Sequence, residues 1–330
     1  MMNEGGYFPA WEYPLFFTKE VFSMKWSMSR KEAVVGILFI LPWVLGCSLF
    51  FIRAFLMSVY YSLTKYDVLG TPEWVGLKNY ADLLQHDPET WKTVLVTFKF
   101  ALLNVPATLL TALFFAVLLN QKVKGLSLWR TMFYLPAVIP GVASAVLWRL
   151  LFAESGILNK ALGVVGVPPF HWLENEATVL PAFVIMNCFA AGTGIVLYLG
   201  ALQGVPTNLY EAAEIDGAGR WVKFTRITLP MISPIVLFNL ITSIIANLQA
   251  FDQAYIMTSN NNDLQTWGNP NGATYFIFLK LYKAAFVDFQ FGYAAAISWM
   301  LFAIIAVFAA IIFRSSRAWV YYENMNAKGR

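Results

Sequence analysis

The stretch EAAEIDGAGRWVKFTRITLP, which runs from Glu211 to Pro230, is charged although long apolar segments lie on both sides of it. Its first ten positions hold four acidic or basic residues, three alanines and two glycines. The Ala- and Glu-rich part, Tyr210 to Ile215, favours a helix that begins near Pro206, and Gly217 and Gly219 allow a turn. A second short helix would end at the close of the quoted stretch. The pattern therefore predicts a helix-turn-helix between two apolar segments.

The composition of the chain is that of a membrane protein. Its 330 residues are 58% hydrophobic and 13% charged, and the mean hydropathy is +0.59. Soluble domains carry about a quarter charged residues, so this chain is far more apolar than a globular domain. Cys47 and Cys188 lie in apolar runs, and His86 and His171 lie in polar connections without the spacing of metal ligands. We expect no metal site and no catalytic residue.

The number of membrane crossings can be counted, because a crossing helix needs roughly 20 mostly apolar residues. The sequence contains six such segments, at about 34–62, 92–119, 129–152, 178–202, 232–251 and 293–314. We therefore predict an all-α polytopic membrane protein with six transmembrane helices.

The distribution of Lys and Arg predicts the orientation of these six spans. Basic residues are concentrated in both terminal tails and in the connections after the second and fourth spans, and they are sparse in the other connections. Because cytoplasmic loops carry the excess of Lys and Arg, both termini and the quoted stretch should be cytoplasmic. The predicted organisation is a tail at 1–33, a membrane domain at 34–314 with a cytoplasmic loop at 203–231, and a second tail at 315–330.

Two features that transporters often need are absent from the sequence. No acidic residue lies within the six predicted spans, whereas proton-driven carriers usually hold a carboxylate there. The chain also lacks the G-x-x-x-x-G-K-[ST] loop, whose backbone amides and lysine would bind nucleotide phosphates. We expect a transport protein without its own ATPase site, which is not itself an enzyme.

The quoted stretch resembles a known motif. An E-A-A triplet, three residues, Gly217, nine residues, Ile227, one residue and then Leu229-Pro230 is similar to the EAA motif in permease subunits of bacterial ATP-binding-cassette (ABC) importers. The segments WVGLKNYADLL, FYLPAVIPGVASAVLWRLLF and FDQAYIMT resemble the carbohydrate branch of that family, and within it the maltose-type first permease subunit. The resemblance extends over roughly 36–314 and implies the type I importer permease fold.

The resemblance also implies how this loop acts. In the family, the EAA helix is a coupling helix that docks on a dimer of separate ATPase subunits, which bind ATP and Mg²⁺; this chain would hold no cofactor. Glu211 would make the charged contact, Ala212 and Ala213 would permit close approach, Gly217 would form the turn, and Asp216 would also belong to the contact. Physical chemistry alone leaves a second interpretation open, an amphipathic interfacial connector without a partner.

Further partners follow from the same resemblance. A second homologous permease would complete the translocation path, an extracytoplasmic binding protein would deliver a sugar or oligosaccharide, and lipid of a bacterial inner membrane would surround the spans. No nucleic-acid partner is expected. The candidates for the substrate path are Asn187, Ser243, Asn247 and Gln249. The alternative role of these polar residues is hydrogen bonding between helices.

Two features of the sequence bear on the substrate. Polar sugar contacts of the family's third span appear here as Ala137 and Gly141, which argues against maltose itself. Arg53, Lys99 and Arg149 lie toward the outer ends of their spans, where they would extend to the interface or, alternatively, form a basic vestibule for acidic sugars. The rival functions are a permease for amino acids, peptides or a glycerol-phosphate-like solute, an ATPase-independent secondary carrier, and a membrane enzyme.

Overall fold

The computed structural model describes residues 28–121, 125–259 and 267–321, and most of these residues are helical. The chain divides into two compact units at Met57–Ser58. The predicted tails lie largely outside the described residues, and the predicted domain limits stay predictions. The predicted all-α class is confirmed.

The first span is one continuous helix from Lys31 to Ser62. It consists of α1 (Met28–Gly46), a π-helical stretch (Cys47–Ile52) and α2 (Arg53–Ser62). No residue in its most apolar 18-residue window is buried.

A short connection and the longest helix follow. Strands β1 (Thr64–Lys65) and β2 (Glu73–Trp74) pair antiparallel. Helix α3 (Lys78–Ala81) continues into a π-helical turn, and α4 (Pro88–Leu119) forms the second span. The Asp87 side chain accepts a hydrogen bond from the Glu89 amide at 2.9 Å, and Pro88 occupies the first helical turn, where its missing N–H costs nothing.

The third and fourth predicted spans are bent, which differs from the continuous segments that the sequence predicts. They pair α5 (Leu126–Val138) with α6 (Gly141–Leu151) at 98° and α8 (Glu176–Phe189) with α9 (Gly192–Gln203) at 48°. Helix α13 (Ser233–Leu248) corresponds to the fifth predicted span, and it meets the helical stretch Arg220–Met231, which belongs to the predicted loop 203–231, at 65°. Helices α7 (Ile157–Val164) and α10 (Thr207–Ile215) lie in the connections.

Proline explains the sharpest of these bends. Pro140 has no N–H to donate, and it holds the preceding residue, Ile139, in the extended region at φ −68° and ψ 128°. Helix α5 must therefore end before Pro140, and α6 starts in a new direction at Gly141.

The last third of the chain completes the bundle. Its remaining helices are α11 (Arg220–Lys223), α12 (Leu229–Met231), α14 (Asp252–Thr258), α15 (Ile277–Phe286) and α16 (Phe291–Ser316). Helix α16 is long and apolar enough to form the sixth span.

Helix α4 lies at the centre of the second unit, packed against α8, α9 and α13. Phe100 on α4 stacks on Phe276 with ring centroids 4.9 Å apart, and Phe183 on α8 meets Phe100 edge-on at 6.2 Å. All three rings are fully buried. This aromatic cluster fixes α4 against α8, and the polar residues one to two turns further along these helices meet beside it.

Candidate functional site

A cavity of about 590 Å³ lies beside the breaks between α5 and α6 and between α8 and α9. It is bounded by α4, by the break between α5 and α6, by α8 and α9, and by the connection between α13 and α14. The polar residues in its lining are Asn104, Ser144, Asn187, Thr193, Asn247, Gln249, Asp252 and Gln253. Phe251 and Phe278 contribute aromatic surface. Amides, hydroxyls and aromatic rings around such a volume suit a small polar ligand.

A chain of amide hydrogen bonds connects three sides of this cavity. Asn104 Nδ2 donates to Asn247 Oδ1 at 2.6 Å, and Asn187 Nδ2 donates to Asn104 Oδ1 at 3.2 Å and to Gln253 Oε1 at 3.1 Å. Asn247 Nδ2 donates in turn to the Ser243 carbonyl at 2.8 Å. The side chains are therefore held in fixed orientations, and the two roles expected for such residues, cavity lining and hydrogen bonding between helices, occur together.

Three of the four predicted path residues line the cavity. They are Asn187, Asn247 and Gln249, whereas Ser243 lies one turn away on α13 and is not in the lining. Their contact with a substrate stays a prediction. Sequence reasoning missed Asn104, which is buried on α4 and joins Asn187 to Asn247. The signal for it was an amide in an otherwise apolar span, which is costly unless it is hydrogen-bonded.

Sequence reasoning also missed a carboxylate. Asp252 follows directly after the predicted fifth span, so the search for acids within spans did not include it, yet its side chain lines the cavity. A Cβ atom added at Gly141 would lie 3.0 Å from Asp252 Oδ2. The third-span position that lacks a polar side chain in this sequence therefore faces an acidic group from the connection between α13 and α14.

The EAA loop, residues 203–231, has the predicted helix-turn-helix form. Helix α10 ends in a Schellman motif, in which the Ala218 amide donates to the Ala213 carbonyl at 2.8 Å and the Gly217 amide donates to Glu214 at 3.0 Å. Gly217 has φ +78°, and a Cβ atom there would meet nothing within 4 Å. Backbone conformation, rather than lack of space, therefore requires glycine at this turn.

Two side-chain contacts tie the halves of the EAA loop together. Tyr210 Oη and Thr228 Oγ1 are 2.8 Å apart, and Lys223 Nζ is 2.5 Å from Glu214 Oε1. The hydrogen bond and the positive charge of Lys223 lower the pKa of the Glu214 carboxyl from its ordinary value. A hydrogen bond and an ion pair therefore hold the two helical parts of the loop against each other.

The outward surface of this loop is both charged and apolar. Glu211, Ala212 and Asp216 are exposed, and Ala213 is half-buried. Ile215 is 88% exposed and Trp221 is 74% exposed, although both are large and apolar. Sequence reasoning did not select these two residues, because exposure cannot be read from a short amphipathic stretch. Exposed apolar side chains beside charged ones are typical of a protein interface.

A charged cluster at the start of α4 joins three helices of the second unit. Lys280 Nζ on α15 lies 2.5 Å from Asp87 Oδ2 and donates to Thr90 Oγ1 at 3.0 Å, and Tyr293 Oη on α16 donates to Asp87 Oδ2 at 2.5 Å. Burial alone would raise the pKa of Asp87, but hydrogen bonds from Lys280 and Tyr293 and the charge of Lys280 outweigh it and lower that pKa. The cluster is structural in character.

Lys99 and Arg149, two of the basic residues of the suggested vestibule, do not share a site in the described part of the second unit. Arg149 Nη1 donates to the Ile256 carbonyl at 3.1 Å and lines a second cavity of about 590 Å³ that also contains Glu154 and Glu174. Lys99 is exposed on α4, and Arg53 is exposed on α2. None of the three lines the cavity that holds the amide chain.

Comparison with known proteins gives a consistent family match. Residues 89–320 match the family described as "binding-protein-dependent transport system inner membrane component". The chain is 36% identical over 305 residues to the "probable ABC transporter permease protein YesP" of Bacillus subtilis (strain 168), covering 92% of this chain and 97% of that protein. It is 33% identical to the "trehalose/maltose transport system permease protein MalF" of Thermococcus litoralis, covering 88% and 96%.

The fold comparison agrees. The chain is similar, with a TM-score of 0.75 and 21% identity, to a chain of a solved bacterial alginate ABC transporter in complex with an alginate pentasaccharide-bound periplasmic protein. The match covers 88% of this chain and 96% of the other.

Proposed function

The chain belongs to the family of binding-protein-dependent transport system inner membrane components, which are permease subunits of ABC importers, and we propose that this permease imports a sugar or oligosaccharide. Its fold is that of a type I importer permease. The proposed substrate class rests on the cavity described above and on the sugar-transport names of relatives such as the trehalose/maltose permease.

The observation that supports a sugar most directly is the chain of amides in the cavity. Asn104, Asn187, Asn247 and Gln253 present amide groups in an apolar helix bundle, and Gln249 adds another to the lining. Sugar hydroxyls both donate and accept hydrogen bonds, so amides match them, and aromatic surface matches the apolar faces of the rings. We propose that Asn187, Asn247 and Gln249 contact the sugar and that Asn104 holds Asn247 in place.

The energy for transport would come from partner subunits. We propose that the EAA loop docks on a dimer of ATPase subunits that bind ATP and Mg²⁺, so this chain needs no cofactor. Glu211, Ala212, Ala213 and Asp216 would form the contact, and Gly217 would fix the turn. The exposed Ile215 supports this assignment, since an interface that must transmit force needs apolar burial as well as charge.

The remaining partners are proposed on the same basis. A second permease would form the other wall of the cavity, and an extracytoplasmic binding protein would deliver the sugar to the face opposite the EAA loop. The excess of Lys and Arg on the EAA side supports a cytoplasmic position for this loop and for both termini.

Two other functions predict different behaviour. An ATPase-independent secondary carrier would move solute without nucleotide, and a permease for amino acids, peptides or a glycerol-phosphate-like solute would respond to those compounds. The amide-lined cavity favours an uncharged polyhydroxylated substrate over a zwitterion, because a single carboxylate without a matching cation faces it among the described lining residues.

The test of substrate class uses the assembled transporter in proteoliposomes with its binding protein. Neutral mono- and oligosaccharides, amino acids, short peptides and glycerol phosphate are offered one at a time, and stimulation of ATP hydrolysis is measured. We expect stimulation by one or more saccharides alone. Stimulation by an amino acid or peptide and by no saccharide would contradict the proposal.

A further inference from the structure

The charge of the cavity is set by one residue among those described in its lining. Asp252, the first residue of α14, is exposed and lines the cavity together with the amides. The other lining residues in the described part of the chain are apolar, hydroxyl or amide side chains. Asp252 Oδ2 is directed toward Gly141, where an added Cβ atom would lie 3.0 Å away.

The Asp252 carboxylate has no protein cation beside it within the described residues. The ion pairs among the described residues join other residues, and no donor in that part of the chain makes a hydrogen bond to the Asp252 side chain. Arg149, which lies on the same helix as the lining residue Ser144, donates to the Ile256 carbonyl and lines the separate cavity that contains Glu154 and Glu174. The negative charge of Asp252 is therefore free to act on a substrate.

We propose that Asp252 selects substrates by charge: it accepts hydrogen bonds from hydroxyl or amine groups of neutral or amine-bearing sugars, and it excludes sugars with a carboxylate or phosphate. This inference rests on the proposed sugar-transport function and specifies its substrate class. A carboxylate makes charge-assisted hydrogen bonds, which are stronger than those of an amide. An anion in the same cavity would meet a like charge between low-dielectric walls, which is strongly unfavourable.

Gly141 is part of this arrangement. Its lack of a side chain leaves the Asp252 carboxylate open to the cavity, because even one added carbon would contact Oδ2 at 3.0 Å. The absence of a polar side chain at Gly141 thus allows the Asp252 carboxylate to face the cavity. In this proposal, Asp252 contacts the substrate in place of a polar side chain from the third span.

The first arm of the test measures the cavity charge without any substrate. In the assembled transporter with Cys47→Ala and Cys188→Ala, Ser144→Cys places one thiol in the cavity lining, one helical turn from Gly141. The rates of its modification by a cationic and an anionic thiosulfonate of equal size are compared with those of a free thiol. We expect the cationic reagent to be favoured about tenfold at low salt, as a charge a few ångströms away implies, and less at high salt.

Variants then assign that charge. Asp252→Asn should lower the preference for the cationic reagent at least threefold, and Asp252→Glu should keep it. Glu154→Gln removes the same charge from the other cavity and serves as the matched control, with no change expected. An equal preference in Asp252→Asn would overturn the proposal. If Asp252→Asn failed to assemble, absence of a cationic preference in the Ser144→Cys protein itself would overturn it.

The second arm measures selection. Uptake of a neutral oligosaccharide that the transporter accepts is compared with uptake of the same compound oxidised to a uronate at one ring. We expect the uronate to be taken up at least tenfold more slowly, and Asp252→Asn to narrow this difference. Equal uptake of both compounds by the unchanged transporter would contradict the inference. Failure of every saccharide would refute the sugar-transport function instead, while the reagent rates would still report the charge of the cavity.

Discussion

At the scale of single residues, a few positions need one particular residue type, because of their backbone conformation or their buried hydrogen bonds. Gly217 adopts a left-handed backbone conformation, and the buried Asn104 amide donates a hydrogen bond to the buried Asn247 amide. For Gly217 and Asn247, a substitution at a nearby residue serves as the control.

Gly217 gives the sharpest prediction about the turn. Gly217→Val places a β-branched side chain at φ +78°, a conformation that costs such residues about 1–2 kcal/mol or more, so the Schellman turn should be lost. We expect uptake to be abolished while the permease still reaches the membrane. The matched control is Gly219→Val, since Gly219 lies at φ −67° with open space around it. Uptake and membrane insertion are measured for both variants. Equal uptake by Gly217→Val and Gly219→Val would contradict the prediction that transport requires the turn at Gly217.

Asn247 gives the corresponding prediction for the cavity. Asn247→Ala leaves the buried Asn104 amide without its acceptor, at a cost of about 1–3 kcal/mol, and removes a proposed sugar contact. Uptake should fall severalfold while the amount of assembled complex stays unchanged. Thr242→Ala on the same helix is the control, because its hydroxyl bonds only within α13. Loss of assembly in Asn247→Ala would show that the residue serves helix packing alone.

At the scale of helices and loops, much of the arrangement could be predicted from sequence. The EAA loop was predictable in detail because its glycines, its acidic helix and its proline are local signals, and the structure places Gly217 in the expected turn. The bends were not. Prolines 136 and 140 indicate a weakness in the third span, but the 98° angle depends on how the neighbouring helices pack.

The candidate site was less predictable than the helices. Asn187, Asn247 and Gln249 could be placed from family spacing, whereas Asn104 and Asp252 come from segments far apart in sequence. Only tertiary packing brings those two residues to the same cavity. Asp252 was also missed because the predicted fifth span ends at residue 251, one position before it.

The cluster at the start of α4 makes a prediction about stability and pH. Asp87→Asn leaves Lys280, which is 5% exposed, without its carboxylate and should destabilise the protein by about 3 kcal/mol. Because the pKa of Asp87 is lowered in the fold, this stabilisation is complete above the unfolded pKa of about 3.9 and is lost as the pH falls below it.

Thermal unfolding in detergent checks this prediction. The midpoint of Asp87→Asn should lie below that of the unchanged protein by a constant amount from pH 8 to pH 5, and the difference should begin to shrink as the pH falls below about 3.9. Asp288→Asn breaks the more exposed Lys283–Asp288 pair and should have little effect. A difference that grows on acidification would contradict the charged state assigned to Asp87.

The docking role of the EAA loop is tested at the same scale. Glu211→Lys reverses the exposed charge on α10 and should reduce co-purification of the ATPase subunits at least tenfold, while Glu211→Gln should have a smaller effect. Normal attachment in Glu211→Lys would favour the alternative in which this loop is only an interfacial connector.

At the scale of the whole molecule, we propose that the cavity binds a sugar, that the EAA loop docks on the ATPase subunits, and that the spans between them cross the membrane. The chain belongs to a family of inner membrane components, and by length and composition the helices of its described residues are sufficient for up to six crossings. The proposed orientation places the EAA loop on the cytoplasmic side and the Asp87 cluster on the outer side.

The most direct test of this account is ATP-driven uptake in proteoliposomes that contain the chain with its second permease and ATPase subunits. A labelled neutral saccharide identified by ATPase stimulation is supplied outside on the binding protein, with ATP inside or absent. We predict accumulation above the external concentration only with ATP and with an intact EAA loop, and none with Gly217→Val. Equal uptake without ATP, or without the ATPase subunits, would contradict the account.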